Sequence, residues 1–120
     1  MIAKALRSAQ AGDHAAAIKQ LTKTLARHPE SAAWIQPLLG VEYLKTDQHE
    51  AAIQALEQAV LLLPRDAINR SNLGLSLACA GKYDRAEQEL HQALKLDAKN
   101  DTTRRLLEVV EADHRLRDRN

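Results

Sequence analysis

Five histidines, one cysteine and a few arginine pairs are the side chains of this 120-residue sequence with obvious chemical potential. A metal site on a helix needs ligands one turn apart. His14, His28, His49, His91 and His114 are scattered, no two stand four residues apart, and neither H-E-x-x-H nor C-x-x-C occurs. No metal site is expected. His14 and His49 fall at equivalent places, matched later by Tyr83, and read as packing or solvated turn residues. Cys79 has no histidine near it in sequence to activate it, so it reads as a small hydrophobe. Being alone, it excludes an internal disulfide. A phosphate-cradling loop needs clustered glycines, whereas Gly12, Gly40, Gly74 and Gly81 are far apart. Arg104, Arg105, Arg115, Arg117 and Arg119 are balanced five to five by Asp101, Glu108, Glu111, Asp113 and Asp118, as on a solvated helix face. The expectation is a non-enzyme that needs no cofactor.

Composition narrows the class further. Lys plus Arg is 17 and Asp plus Glu is 16, a formal charge of +1. Nucleic-acid binders carry a basic excess, and base stacking needs aromatic platforms. Here only Trp34, Tyr43 and Tyr83 are aromatic, so no nucleic-acid partner is expected. Apolar residues are 45% of the chain, and 21 of them are Ala and 19 Leu, an alphabet that favours helix over strand. No run approaches the roughly 18 apolar residues of a membrane span. No long apolar stretch follows Met1–Arg7, so no secretory signal is visible and a cytoplasmic location is expected. The sequons at Asn69 and Asn100 lie in or beside predicted helices and read as structural.

The elements that would position any site repeat at a fixed interval. Ala52, Leu56, Ala59 and Leu62 precede Ala86, Leu90, Ala93 and Leu96 by 34 residues each, and Leu39-Gly40 precedes Leu73-Gly74 by the same 34. An earlier copy runs 35 residues ahead, with Ala17, Leu21 and Pro29 before Ala52, Leu56 and Pro64. One residue was therefore gained or lost near 30–33. Turns at Gly12-Asp13, Thr46-Asp47-Gln48 and Gly81-Lys82 divide each unit into two helices. Pro29 and Pro64 stop the helices that precede them. Asp47 with Glu50, and Asp84 with Glu87, have capping-box spacing. The pattern predicts helices over 2–11, 14–27, 33–46, 49–62, 67–80, 83–96 and 101–117. Gly40 and Gly74 fall mid-helix, where Gly costs about 1 kcal/mol relative to Ala. That cost implies close approach by the partner helix at Ala52, Ala59, Ala86 and Ala93.

Leu-Gly, a turn Gly, Ala, a large apolar residue, Ala and Pro in this order resemble the tetratricopeptide repeat family. The third unit matches at Leu73, Gly74, Leu77, Gly81, Tyr83, Ala86, Leu90, Ala93 and Leu96. The first keeps Gly12, Ala17, Leu21 and Pro29, with Ala5 for Gly and Thr24 for the second Ala. Other departures are Asp47 for the turn Gly, Ala98 for Pro, and Gln36 and Arg70 where Trp is common. The resemblance implies an all-α fold, a right-handed solenoid of three helix–turn–helix units plus a seventh helix. Units are expected at 1–31, 32–66 and 67–100. Residues 101–120 form a capping helix with an apolar stripe of Leu106, Leu107, Val109, Val110 and Leu116; Arg104, Arg105, Glu108, Glu111, Asp113 and Arg115 are its exposed rear. The alternative for this tail is the first helix of a fourth unit.

The resemblance also implies a protein–protein interaction module whose first helices line a concave groove. Helical spacing puts Ile2, Leu6 and Gln10 on that face. Trp34, Pro37, Leu38, Val41 and Lys45 follow from the second unit. Ile68, Ser71, Asn72, Leu75 and Cys79 follow from the third, and Arg105 and Val109 from the tail. Pro37 is tolerable there if its missing N–H falls among the unbonded first turn. Chaperone-binding members of the family hold a C-terminal carboxylate with Lys, Asn and Arg at places that here are Ile2, Leu6, Leu38, Ile68 and Asn72. Only Asn72 is polar, so that clamp is absent. The expected partner is an apolar peptide or amphipathic helix, with Trp34 as anchor. The alternatives are self-association into a homo-oligomer and service as the interaction domain of a larger protein.

Overall fold

Glycine and proline set the rhythm of the chain. The computed structural model describes Ala5 and residues 12–118, and among them six α-helices: α1 (His14–Arg27), α2 (Ala32–Lys45), α3 (His49–Leu62), α4 (Ala67–Cys79), α5 (Tyr83–Leu96) and α6 (Asp101–Asp118). A 3-10 turn at Pro29–Ser31 links α1 to α2. The expected helix over 2–11 lies outside the described residues. The other six helices follow the expected bounds within a residue at each end. The extra residue near 30–33 is taken up by α2, which has 14 residues against 13 in α4.

Three turns use the left-handed backbone region at one repeat position: Gly12 at φ +85°, Asp47 at +58° and Gly81 at +79°. Asp47 thus does the work of a turn glycine, at some conformational cost. This also corrects the capping expectation. The residues before α3 and α5 are Gln48 and Lys82, neither of which makes a side-chain cap. The boxes expected from Asp47–Glu50 and Asp84–Glu87 do not form. The side-chain caps are Asp13, Asp66 and Asn100, which accept from the N–H groups of Ala16 (3.1 Å), Asn69 (3.0 Å) and Thr103 (3.1 Å).

Pro37 also differs from expectation. Because α2 starts at Ala32, Pro37 is its sixth residue and lies beyond the first turn. The Ala33 carbonyl therefore has no i+4 N–H to accept from, and α2 relies on packing to stay helical.

The core justifies the mid-helix glycines. A Cβ on Gly74 would fall 2.7 Å from Leu90 Cγ and 3.3 Å from the Ala86 carbonyl, and one on Gly40 would clash with Leu56 Cγ. Each hairpin therefore closes Gly against Leu, with Ala52, Ala59, Ala86 and Ala93 all buried beside the contact. One core cluster joins Leu56, Leu73, Leu77, Leu90, Leu107 and Val110, and a second joins Ala5, Leu21, Ile35, Leu39 and Ala55. Tyr43 packs against both, so the core runs unbroken along the stack.

Helices adjacent in sequence pack together, and α2 also touches α4, as α4 touches α6. The helices α1, α3 and α5 make no comparable contact with one another. The stack therefore closes on the α2–α4–α6 side, which is its concave face. On α6 the buried residues are Thr103, Leu107 and Val110, with Leu106 packed beside them. Leu116 is 60% exposed and Val109 points outward, so the expected apolar stripe ends early. Asp113 is not part of an exposed rear: it accepts a 2.6 Å hydrogen bond from the Tyr83 hydroxyl.

Candidate binding groove

The concave face is built from repeat-equivalent rows. Val41, Leu75 and Val109 are spaced by 34 residues and run across α2, α4 and α6. Leu38, Asn72 and Leu106 form the next row, and Trp34 and Ile68 begin a third with Thr102. Trp34 is 72% exposed and Ile68 64%, so neither ring nor side chain is used to hold the stack together. Val109, Lys45, Cys79 and Arg105 are exposed; Leu38, Val41, Asn72 and Leu75 are half-buried. Leu6 and Gln10, with Ile2, lie outside the described residues.

Polar pairs tie the helices of this face to one another and to their neighbours. Ser71 and Thr103 hydroxyls meet at 3.0 Å between α4 and α6. Arg70 pairs with Glu89 at 3.1 Å between α4 and α5. His14 donates from Nδ1 to Glu42 at 2.6 Å, linking α1 to α2, and Glu42 is buried. Cys79 borders the groove, with its thiol pKa raised by partial burial and, secondarily, by the Asp47 carboxylate. It is thus poorly ionised at neutral pH and a weak nucleophile.

Sequence reasoning missed a second constellation, at the outer edge of the α5–α6 contact. The His114 ring stacks on Tyr83, with centroids 5.2 Å apart, and Arg117 lies over the other ring at 5.8 Å. His114 donates from Nδ1 to Glu87 at 3.0 Å. That hydrogen bond chiefly, aided by the charges of Asp118, Glu87 and Asp84, raises the His114 pKa. The Tyr83 hydroxyl lowers the pKa of Asp113, and its own is raised by the same bond. His114 is therefore an inter-helix clip, a contact that the scattering of the histidines in sequence did not show.

The sequence profile of the tetratricopeptide repeat family matches residues 38–101, more than half of the 120. The chain belongs to the tetratricopeptide repeat family. The two matched hairpins and the paired Gly–Leu contacts are its signature, and the solved structures similar to it share the fold. An O-GlcNAc transferase mutant from Thermobaculum terrenum is 27% identical, with a TM-score of 0.81 over 91% of this chain. The tetratricopeptide chain spans only 21% of that transferase. The tetratricopeptide domain of Sgt2 from Aspergillus fumigatus superimposes with a TM-score of 0.87 at 20% identity, covering 99% of this chain and 80% of that one. The second such domain of human RPAP3, solved with the HSP70 peptide SGPTIEEVD, gives 0.84 at 22% identity over 90% and 89% of the two chains. No curated protein matches the sequence. No helix among the described residues is long and apolar enough to cross a membrane.

Proposed function

We propose that this repeat domain is a non-catalytic interaction module that holds an apolar peptide or the apolar face of a helix in its concave groove. The row Val41–Leu75–Val109, flanked by the exposed Trp34 and Ile68, is the observation that carries this reading. Trp34, Ile68 and Val109 expose apolar surface that the core does not use, and Val41 and Leu75 are only half-covered, so a partner is the simplest reason for them. The groove is preformed, so binding orders the ligand more than the receptor. The similar RPAP3 domain was solved with a peptide ending in Glu-Glu-Val-Asp. At the places where the family clamps such a carboxylate, this chain offers Leu38, Ile68 and Asn72, with Ile2 and Leu6 outside the described residues. A different peptide class is therefore expected here.

Trp34 is the sole tryptophan and stands at the groove, so its emission reports on occupancy. Amphipathic helical peptides should shift that emission to the blue and saturate. The peptide SGPTIEEVD should leave it unchanged; micromolar binding by calorimetry would refute the apolar reading. Light scattering against concentration tests self-association, which would draw on Leu61, Leu62, Leu63 and Leu96, exposed at the ends of α3 and α5.

A further inference from the structure

The outer edge of the α5–α6 contact holds more carboxylates than its lysine and arginine side chains engage. Lys82 pairs with Glu50 at 3.4 Å, Arg85 with Glu57 at 3.7 Å, and Arg117 with Asp113 at 3.3 Å. That leaves Asp84, Glu87 and Asp118, whose ion-pair partner among the described residues is His114 alone. Three carboxylates thus converge on one imidazole.

The imidazole is also presented in a defined way. Stacking on Tyr83 fixes the ring plane. Glu87 can only accept, so Nδ1 carries the hydrogen of their 3.0 Å bond. Nε2, on the other side of the ring, faces Asp84 Oδ1 at 3.8 Å and Asp118 Oδ2 at 3.4 Å, and an ion bound there would replace the proton that Nε2 carries when ion-paired. A carboxylate on one histidine nitrogen and a metal on the other is the recurring way proteins orient a metal-binding imidazole. The spacing agrees: Asp84 and Glu87 are one turn apart on α5, and His114 and Asp118 one turn apart on α6. Ligand atoms of Asp84, Glu87 and His114 lie within 4.8 Å of one another.

We propose that His114 Nε2, Asp84 and Asp118 form a site for a divalent transition ion of the zinc class, with Glu87 orienting the imidazole. One nitrogen with two carboxylates suits Zn²⁺ or Co²⁺ and falls short of the all-oxygen shell of six or more that Ca²⁺ takes. Zn–ligand bonds of about 2.0–2.2 Å in a tetrahedron separate neighbouring ligand atoms by roughly 3.3 Å. Asp84 and Asp118, both exposed, would each have to turn toward Nε2 from the observed 3.8 and 3.4 Å to complete such a set. The bound ion would clip the last helix to the one before it. The site is independent of the groove, so the failure of either leaves the other intact.

The test titrates Zn²⁺ by calorimetry into untagged, chelator-stripped protein, with thermal melting and the histidine ring-nitrogen NMR resonances as second readouts. One equivalent should bind in the micromolar range, raise the melting temperature and shift His114 Nε2. Asp84→Asn with Asp118→Asn should weaken binding at least ten-fold while lowering the metal-free melting temperature only slightly, because both residues are exposed and their pairs with His114 are solvent-screened. Glu87→Gln should weaken it ten- to hundred-fold. Zinc bound equally well by the double variant, a shift at another histidine instead, or Ca²⁺ bound as tightly as Zn²⁺ would overturn the proposal.

Discussion

Leu90 fills the space that a side chain at Gly74 would need: its Cγ lies 2.7 Å from the position of an added Cβ. Gly40 and Leu56 repeat the relationship one unit earlier. Gly74→Leu should therefore unfold the hairpin of α4 and α5. Gly74→Ala should cost about 1–3 kcal/mol from overpacking, reduced by the roughly 1 kcal/mol that Ala gains in helix propensity. Leu90→Ala should cost less in the Gly74→Ala background than on its own, because it makes room for the added methyl. Urea melts of the two singles and the double give the coupling energy; strict additivity would mean that the two residues do not share this contact.

The groove is tested without touching the core. Val41→Arg with Leu75→Arg places two charges in the apolar row. Both side chains are half-buried at the surface of α2 and α4, so circular dichroism should remain helical while ligand binding is lost. Trp34→Ala should change stability by no more than about 0.5 kcal/mol, as exposed substitutions do. As an anchor, its loss should cost about 2 kcal/mol or more of binding energy. Binding that survives all three substitutions moves the site off the concave face.

Cys79 gives a chemical probe of the same face. Its thiol is held above the usual cysteine range mainly by partial burial and then by Asp47. The thiolate is the reactive form, so alkylation by iodoacetamide should be slow at neutral pH and should accelerate at a higher pH than for a free thiol. Asp47→Gly should bring that pH down only partway, since burial is the larger cause. The same variant should stabilise the fold, because Gly takes a φ of +58° without strain. A rate profile identical to that of free cysteine would contradict a raised thiol pKa.

Tyr83 and Asp113 secure the last helix. Tyr83→Phe removes the hydroxyl that donates to Asp113 and leaves the ring that stacks on His114. Amide exchange should then quicken along α6 while α4 stays protected. Equal acceleration in both helices would show that the bond serves the whole stack.

The helices were legible because Gly, Pro, Ala and Leu carry the period themselves. Residues spaced by 34 announce both the hairpin and the Gly–Leu contact inside it. Three things were not legible. Asp47 has the spacing of a helix cap, and its left-handed backbone emerges only from its alignment with Gly12 and Gly81. Pro37 appeared compatible with a helix start, but the helix begins earlier. His114 meets Glu87 across 27 residues of chain, and α6 lacks a complete repeat to report its register. Contacts between side chains on different helices outside the repeat pattern leave no local signal.

Contacts between neighbours also have a mechanical consequence. A molecule 46 Å long whose helices lean only on the next one or two has no keystone. Pulled at its ends it should yield like a zip, one hairpin at a time, and the force trace should show successive steps instead of a single rupture. Between those steps the intact hairpins act as a leaf spring, so a ligand seated across α2, α4 and α6 would stiffen the coil and delay the first step.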